Sequence, residues 1–116
     1  MNMLSGRVEG GERPRFVAAD GLAVTLPLAP RAALGRAVTL GVRPEHLSAG
    51  GALSVIVETV EPTGAETVLN VKWGEARLVC VLHARVAARP GETLSLGFDG
   101  APLHFFDATT GAALVD

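Results

Sequence analysis

The segment Ser54–Val60 has the sequence Ser-Val-Ile-Val-Glu-Thr-Val, in which five of the seven residues are branched at Cβ. Such side chains are stiff at χ1 and pack well on a pleated backbone, so this segment predicts a strand. Arg77–Leu82 is apolar throughout after its first residue, a pattern typical of strands that are covered on both faces. We therefore expect both segments to be central strands of the core.

Segments on either side of these two alternate between apolar residues and small or polar ones. The clearest examples are Leu22–Leu26, Val38–Val42 and Leu94–Phe98. A period of two predicts strands with one buried face, and turn residues separate the strands at intervals of about ten residues. The sequence therefore predicts an all-β protein of short antiparallel strands.

Turns and short helical segments complete the prediction. Asp99-Gly100 in front of Leu103–Phe106 is a hairpin signal, with Leu94–Phe98 as the preceding strand. Ala29–Arg36 and His83–Arg89 can each supply a helical turn or two, but both are too short to form a helical layer.

Length and composition limit what the chain can be. Its 116 residues are 48% hydrophobic and include 14 Gly and 7 Pro, which allows one core but interrupts long helices. We expect a single domain over residues 1–116, either in two portions of about 1–50 and 51–116 or in a fold that interleaves both. The net charge of −2 gives no bulk attraction to phosphate backbones, so nucleic-acid binding is disfavoured.

Residues suited to catalysis or metal binding are scattered. The three histidines lie far apart, with no Cys or His at ligand spacing, so no metal site is predicted. The only lysine, Lys72, lies in a strand-like stretch and follows no glycine-rich phosphate loop, so we expect this chain neither to bind nor to hydrolyse ATP. Cys80 lies in an apolar run and is expected in the core. The longest stretch without Asp, Glu, Lys or Arg, His46–Val57, is shorter than the roughly 20 apolar residues of a membrane helix.

The most distinctive segment is Gly41–Leu47, Gly-Val-Arg-Pro-Glu-His-Leu. An apolar strand ends here at a proline, which forces an extended approach, and a tight turn follows. Two interpretations are open. The turn is structural, with Arg43 bonded to carbonyls or to Glu45 within the domain, or it forms part of a docking surface.

This segment resembles one found in the C-terminal regulatory domain of the ATP-binding subunits of carbohydrate-type ABC importers. The resemblance extends over nearly the whole chain, because Met1–Val8 is similar to the family's first strand after its ATPase core. Other segments similar to the family are Val57–Thr67, Pro90–Glu92 and Leu103–Gly111. Phe105 stands where the family commonly has Leu, which is a mild apolar exchange.

The resemblance implies a TOBE-type, OB-fold-like β-barrel attached to a nucleotide-binding domain of the sugar and glycerol-phosphate importer branch. The ATPase motifs of the family belong to that other domain, so no catalytic residue and no cofactor is carried over to this chain. The implied partners are the subunit's own ATPase domain, a second copy of the subunit and a regulatory protein, with the membrane permease reached only through the parent complex. The implied location is cytoplasmic, at the inner face of the cell membrane.

Regulation of this kind requires exposed contact residues. The candidates for contact with a partner are Arg43, Glu45, His46, Glu61, Glu66 and Trp73. For Trp73 two roles stay open: a filler of the core or barrel end, and an exposed interface anchor. An alternative function is also open, because related TOBE barrels of another branch bind oxyanions such as molybdate; in that case the chain is a small-ligand (oxyanion or sugar) binding module. Single-stranded nucleic-acid binding is disfavoured by the few aromatic residues.

Overall fold

The computed structural model of the chain describes residues 1–84 and 86–115, and its regular structure is built from strands. These residues form nine strands, two 3₁₀ turns and no α-helix. The strands are β1 (Asn2–Glu9), β2 (Arg15–Ala18), β3 (Ala23–Thr25), β4 (Ala37–Val42), β5 (Ser48–Pro62), β6 (Thr67–Trp73), β7 (Ala76–Leu82), β8 (Thr93–Gly97) and β9 (His104–Asp107). The 3₁₀ turns are Arg31–Ala33 and Pro44–His46. The predicted all-β class and the antiparallel pairing are confirmed.

The chain folds into two compact units. The first unit comprises Met1–Asn2 and Arg43–Ala101, and the second comprises Met3–Val42 and Pro102–Asp116. The sequence-based prediction of a single domain, with portions of about 1–50 and 51–116, stays a prediction.

The first unit contains a four-stranded antiparallel sheet in the order β7-β6-β5-β8. β5 lies centrally, as predicted from its β-branched residues, but its burial alternates: Val55 and Val57 are buried whereas Ile56 is 52% exposed. The expectation that Ser54–Val60 is covered on both faces is therefore wrong, because only one face of the sheet packs into the core.

The prediction that Arg77–Leu82 is a central strand is also wrong, because β7 is an edge strand of this sheet. Leu78, Cys80 and Leu82 are buried, while Val79 and Val81 between them are half-buried. The continuous apolar run therefore comes from valines on a partly covered outer face, and not from burial on both sides.

The free edge of β7 is hydrogen-bonded at Val79 by a side chain. Asn2 accepts a hydrogen bond at Oδ1 from the backbone N–H of Val79 and donates from Nδ2 to the carbonyl oxygen of the same residue, both at 2.8 Å. Its amide thus takes the place that a neighbouring strand's peptide group would occupy. Asn2 is only 8% exposed, and these two hydrogen bonds explain how a polar side chain is accommodated in a buried position.

The pairing of β5 with β8 depends on three glycines. The register of the two strands shifts between Ala49 and Leu53, and the chain there passes so close to β8 that a Cβ on Gly51 would lie 2.6 Å from the Cα of Gly97. A Cβ on Gly97 would lie 2.7 Å from the carbonyl oxygen of Gly50. Gly51 also has φ +112, which L side chains rarely adopt.

The second unit contains a five-stranded sheet in the order β3-β2-β1-β4-β9. Its core includes Val8, Phe16, Val38 and Leu40, each fully buried. The chain after β9 turns back and pairs with it through the bridge between Phe106 and Ala113.

Two local predictions are corrected by the connections between elements. A turn does follow Phe98, where the Ala101 N–H donates to the Phe98 carbonyl oxygen at 2.8 Å, but β8 and β9 belong to different sheets and form no hairpin. Asp99-Gly100 correctly indicates a turn because turn formation is local, but the pairing of strands depends on long-range packing, which this signal does not report. A short 3₁₀ turn does form within Ala29–Arg36, but residues 83–84 and 86–89 form no helix, and Arg85 lies outside the described residues.

Candidate interaction site

The distinctive segment Gly41–Leu47 forms a tight 3₁₀ turn in the first unit. Arg43 is extended, with φ −72 and ψ 145, and Pro44 begins the turn, as expected for proline at a first helical position. The turn closes where the His46 N–H donates to the Arg43 carbonyl oxygen at 3.0 Å, and it packs against β7. The predicted turn is therefore present.

The polar side chains of this turn differ in exposure. Arg43 and Glu45 are exposed, and neither makes an ion pair with another described residue. Internal bonding of Arg43 to Glu45 is thus not observed. His46 is half-buried, and its Nδ1 is buried without a hydrogen-bond partner among the residues that the structure describes. The exposed charged groups of Arg43 and Glu45 are therefore free to contact a partner.

Glu61 and Glu66 lie near the turn that joins β5 to β6. Glu61 is exposed, whereas Glu66 Oε2 lies 2.7 Å from Nδ1 of His83, which follows β7. Beside this pair the buried Thr67 donates its hydroxyl to the Ala84 carbonyl oxygen at 2.8 Å. Glu66 is therefore tied to its own sheet, while Glu61 is available to solvent.

Trp73 takes the first of the two roles that the sequence left open. Its side chain is 3% exposed, so it fills the core of the first unit and offers no exposed anchor to a partner. The next residue, Gly74, has φ +61 and begins a two-residue loop between the paired Trp73 and Ala76. Glycine at the first loop position is typical of a type II′ hairpin turn.

The hairpin register assembles a group of side chains that sequence reasoning missed. Lys72 is the cross-strand partner of Ile56 on β5 and of Arg77 on β7. In the neighbouring row Asn70 is the partner of Thr59 and of Val79. These six residues lie on the face opposite the buried row Val57, Val71 and Leu78. We call them the β5–β7 outer face.

Charge on the outer face is only partly compensated. Arg77 Nε lies 3.7 Å from Glu58 Oε1, and the two side chains are 76% and 35% exposed. Lys72 makes no hydrogen bond or ion pair with any described residue. Asn70 donates from Nδ2 to the Thr59 hydroxyl oxygen at 2.7 Å. An anionic group therefore finds an unpaired cation here, next to a second one.

A shallow cleft of about 360 Å³ opens on this face. Its lining residues are Glu58, Thr59, Asn70, Val71, Arg77, Leu78 and Val79. Glu58 lies at the irregularity in β5 between Val57 and Thr59 and lines the cleft. One signal in the sequence points to part of this site, because counting back from a hairpin turn at Gly74 pairs Lys72 with Arg77.

Two further ionisable groups, Cys80 and Asp107, have structural roles. Burial raises the pKa of the Cys80 thiol to about 11, so this cysteine is protonated and inert at neutral pH. In the second unit, Asp107 accepts hydrogen bonds from the backbone N–H groups of Thr110 and Thr109 and lies 3.2 Å from Arg36. These backbone bonds, followed by the Arg36 charge, lower the pKa of its carboxyl group. Asp107 thereby stabilises the turn after β9.

Neither a cluster of metal ligands nor a membrane-spanning helix was found in the described part of the chain. There, no three His, Cys, Asp or Glu side chains gather as metal ligands. Within residues 1–84 and 86–115, no helix has the length and apolar character needed to cross a bilayer.

Comparison with known proteins places these features in context. Residues 40–106 match the family model of the TOBE domain, and residues 1–47 match that of the MalK OB fold domain. The chain is 37% identical over 115 residues to the sn-glycerol-3-phosphate import ATP-binding protein UgpC of Escherichia coli O157:H7. It is 36% identical to the UgpC protein of Shigella sonnei over the same length. Each alignment covers 96% of this chain but 32% of the relative, so the chain spans about a third of the length of these proteins.

Proposed function

The chain belongs to the TOBE domain family, and on that basis we propose that it is the C-terminal regulatory and dimerisation domain of an ABC importer's ATP-binding subunit. The observation that carries this proposal is the similarity to ATP-binding import proteins along 96% of the chain. Because the chain spans only about a third of such a relative, the nucleotide chemistry is assigned to the remainder of the subunit. This domain is non-catalytic and needs no cofactor.

The cargo and surroundings follow from the same relatives. Their name specifies sn-glycerol-3-phosphate import, so the proposed cargo class is sugars, polyols or glycerol phosphates. The partners are the ATPase domain of the same subunit, a second copy of the subunit and a regulatory protein, with the permease reached through the parent complex. The proposed location is the cytoplasmic side of the cell membrane, and nucleic acid is not among the partners.

A domain without catalytic groups can regulate by binding one state of the transporter better than another. Only the difference in contact free energy shifts the equilibrium, and about 1 to 3 kcal/mol of coupling suffices. Arg43, Glu45 and Glu61 are exposed at turns or strand ends of the first unit. Such positions change their contacts without disturbing the core.

A chimera tests the proposal. This chain replaces the aligned third of the Escherichia coli O157:H7 relative, and sn-glycerol 3-phosphate uptake is measured in cells that lack that relative. We expect the chimera to restore uptake, whereas the relative truncated before that third serves as the control. A stably expressed chimera that behaves like the truncated control would contradict the assignment.

Sedimentation velocity tests the dimerisation part separately. We expect the isolated chain to show a concentration-dependent dimer. A chain that stays monomeric at every attainable concentration argues against pairing through this domain.

A second candidate function is binding of a small oxyanion or sugar, favoured by the cleft that Asn70, Thr59 and Arg77 line. Its volume of about 360 Å³ lies at the lower end of ligand-site sizes. Calorimetric titration with molybdate, tungstate and sugar phosphates tests it. The absence of heat with all of them removes this candidate.

A further inference from the structure

The geometry points to the β5–β7 outer face as a docking surface for an acidic polypeptide segment of a partner protein. This inference rests on the proposed function, because it names the surface through which a regulatory partner contacts the domain. It starts from the cross-strand pair of Lys72 and Arg77. Like charges directly opposite each other destabilise a sheet, so this pair costs stability. The pair includes the only lysine of the chain, although the chain as a whole has a net charge of −2.

The chain itself offsets only half of this charge. Glu58 lies near Arg77, at 3.7 Å, while Lys72 has no partner among the described residues. A carboxylate placed over the two cations removes their repulsion and gains charge-assisted hydrogen bonds from both. Charge complementarity therefore selects an anionic partner.

The apolar and amide groups nearby favour a polypeptide over a small anion. Ile56, beside Lys72 in the same row, is 52% exposed, and Ile56 and Arg77 are two strand spacings apart, about 10 Å. The row of Thr59, Asn70 and Val79 begins two residues further along β6, which is about 7 Å. A small anion contacts the cations and leaves Ile56 in water, whereas an extended segment also covers the isoleucine and reaches the Asn70 amide.

Fluorescence anisotropy with the 116-residue chain tests this surface. The probe is a labelled synthetic peptide in which pairs of glutamates and pairs of leucines alternate, so that each face of the extended peptide carries both residue types. The matched peptides carry glutamine or lysine in place of glutamate. We expect saturable binding of the acidic peptide alone, weakened by added salt. The double variant Lys72→Glu with Arg77→Glu should reduce affinity by about tenfold or more, since two attractive contacts become repulsive.

Control variants separate the contributions. Arg13→Glu makes the same charge reversal as either single substitution, at an exposed site of the second unit, and should leave binding unchanged. Ile56→Ser should weaken binding at every salt concentration, because its contribution is apolar. Far-ultraviolet circular dichroism establishes that each variant is folded.

Several results would overturn the inference: no binding of the acidic peptide, equal binding of the glutamine peptide, or a double variant that binds like the unsubstituted chain. Full displacement of the peptide by inorganic phosphate, with Ile56→Ser indistinguishable from the unsubstituted chain, would instead assign the face to a small anion. Each of these outcomes leaves the uptake of the chimera unaffected, so failure of this docking surface is distinguishable from failure of the proposed function.

Discussion

Replacing Asn2 with Ala removes the side chain that is hydrogen-bonded to the free edge of β7 at Val79. The substitution deletes two hydrogen bonds of 2.8 Å to the backbone of Val79. Each such bond contributes about 1 kcal/mol net, and a buried group left without a partner costs about 1 to 3 kcal/mol. Val79 is half-buried, so water replaces part of what is lost. We expect the free energy of unfolding to fall by about 2 kcal/mol.

Urea unfolding followed by the fluorescence of Trp73 measures this change. Trp73 is the only tryptophan and lies in the same unit as Asn2 and Val79. Asn2→Asp keeps an acceptor for the Val79 N–H but turns a carboxylate oxygen toward the Val79 carbonyl, so it should destabilise at least as much as Asn2→Ala. Ser5→Ala, an exposed change in the same strand, should stay within about 0.5 kcal/mol. If Asn2→Ala also stays within that limit, the side chain does not stabilise the edge of β7.

Three further substitutions or reactions probe other parts of the fold. Gly97→Ala places a Cβ 2.7 Å from the Gly50 carbonyl oxygen and should lower the free energy of unfolding by about 1 to 3 kcal/mol. The control is Gly10→Ala, whose Cβ meets no atom within 4 Å. Equal unfolding midpoints for the two variants would contradict the close approach of Gly97 to Gly50. Because the pKa of Cys80 is raised to about 11, a thiol reagent at about pH 8 should react with it far more slowly in the folded chain than in urea; equal rates would mean that the thiol is accessible. The lowered pKa of the Asp107 carboxyl group stabilises the folded chain at pH values above the group's usual pKa of 3.8, and this stability is lost as pH falls through the lowered pKa. Asp107→Asn should therefore flatten the loss of stability on acidification below about pH 4. An unchanged pH profile would contradict this.

The fold class was predictable because strand periodicity is local, whereas strand position was not. Ser54–Val60 lies in the central strand β5, as its β-branched residues predict. Arg77–Leu82 has an equally apolar sequence but forms the edge strand β7. What distinguishes the two is the neighbour on the second side, and for β7 that neighbour is the side chain of Asn2, 77 residues earlier in the sequence. No window of local sequence contains that information.

The contact residues were likewise predictable from the sequence only where local sequence determines their position. Arg43 and Glu45 follow from a motif in consecutive residues, and the structure does expose them. The pairing of Lys72 with Arg77 was within reach of the sequence, because a glycine that starts a two-residue loop determines which residues face each other across a hairpin. The approach of Glu58 to Arg77 was not, since Glu58 lies at the register irregularity between Val57 and Thr59, which no local pattern in the sequence marks. A regular register would pair Glu58 with Asn70, whereas the observed register pairs Thr59 with Asn70 and leaves Glu58 without a partner on β6. Glu58 lies 3.7 Å from Arg77, while Lys72 makes no ion pair with a described residue, so the partly compensated charge of this face follows from strand register as well as from composition.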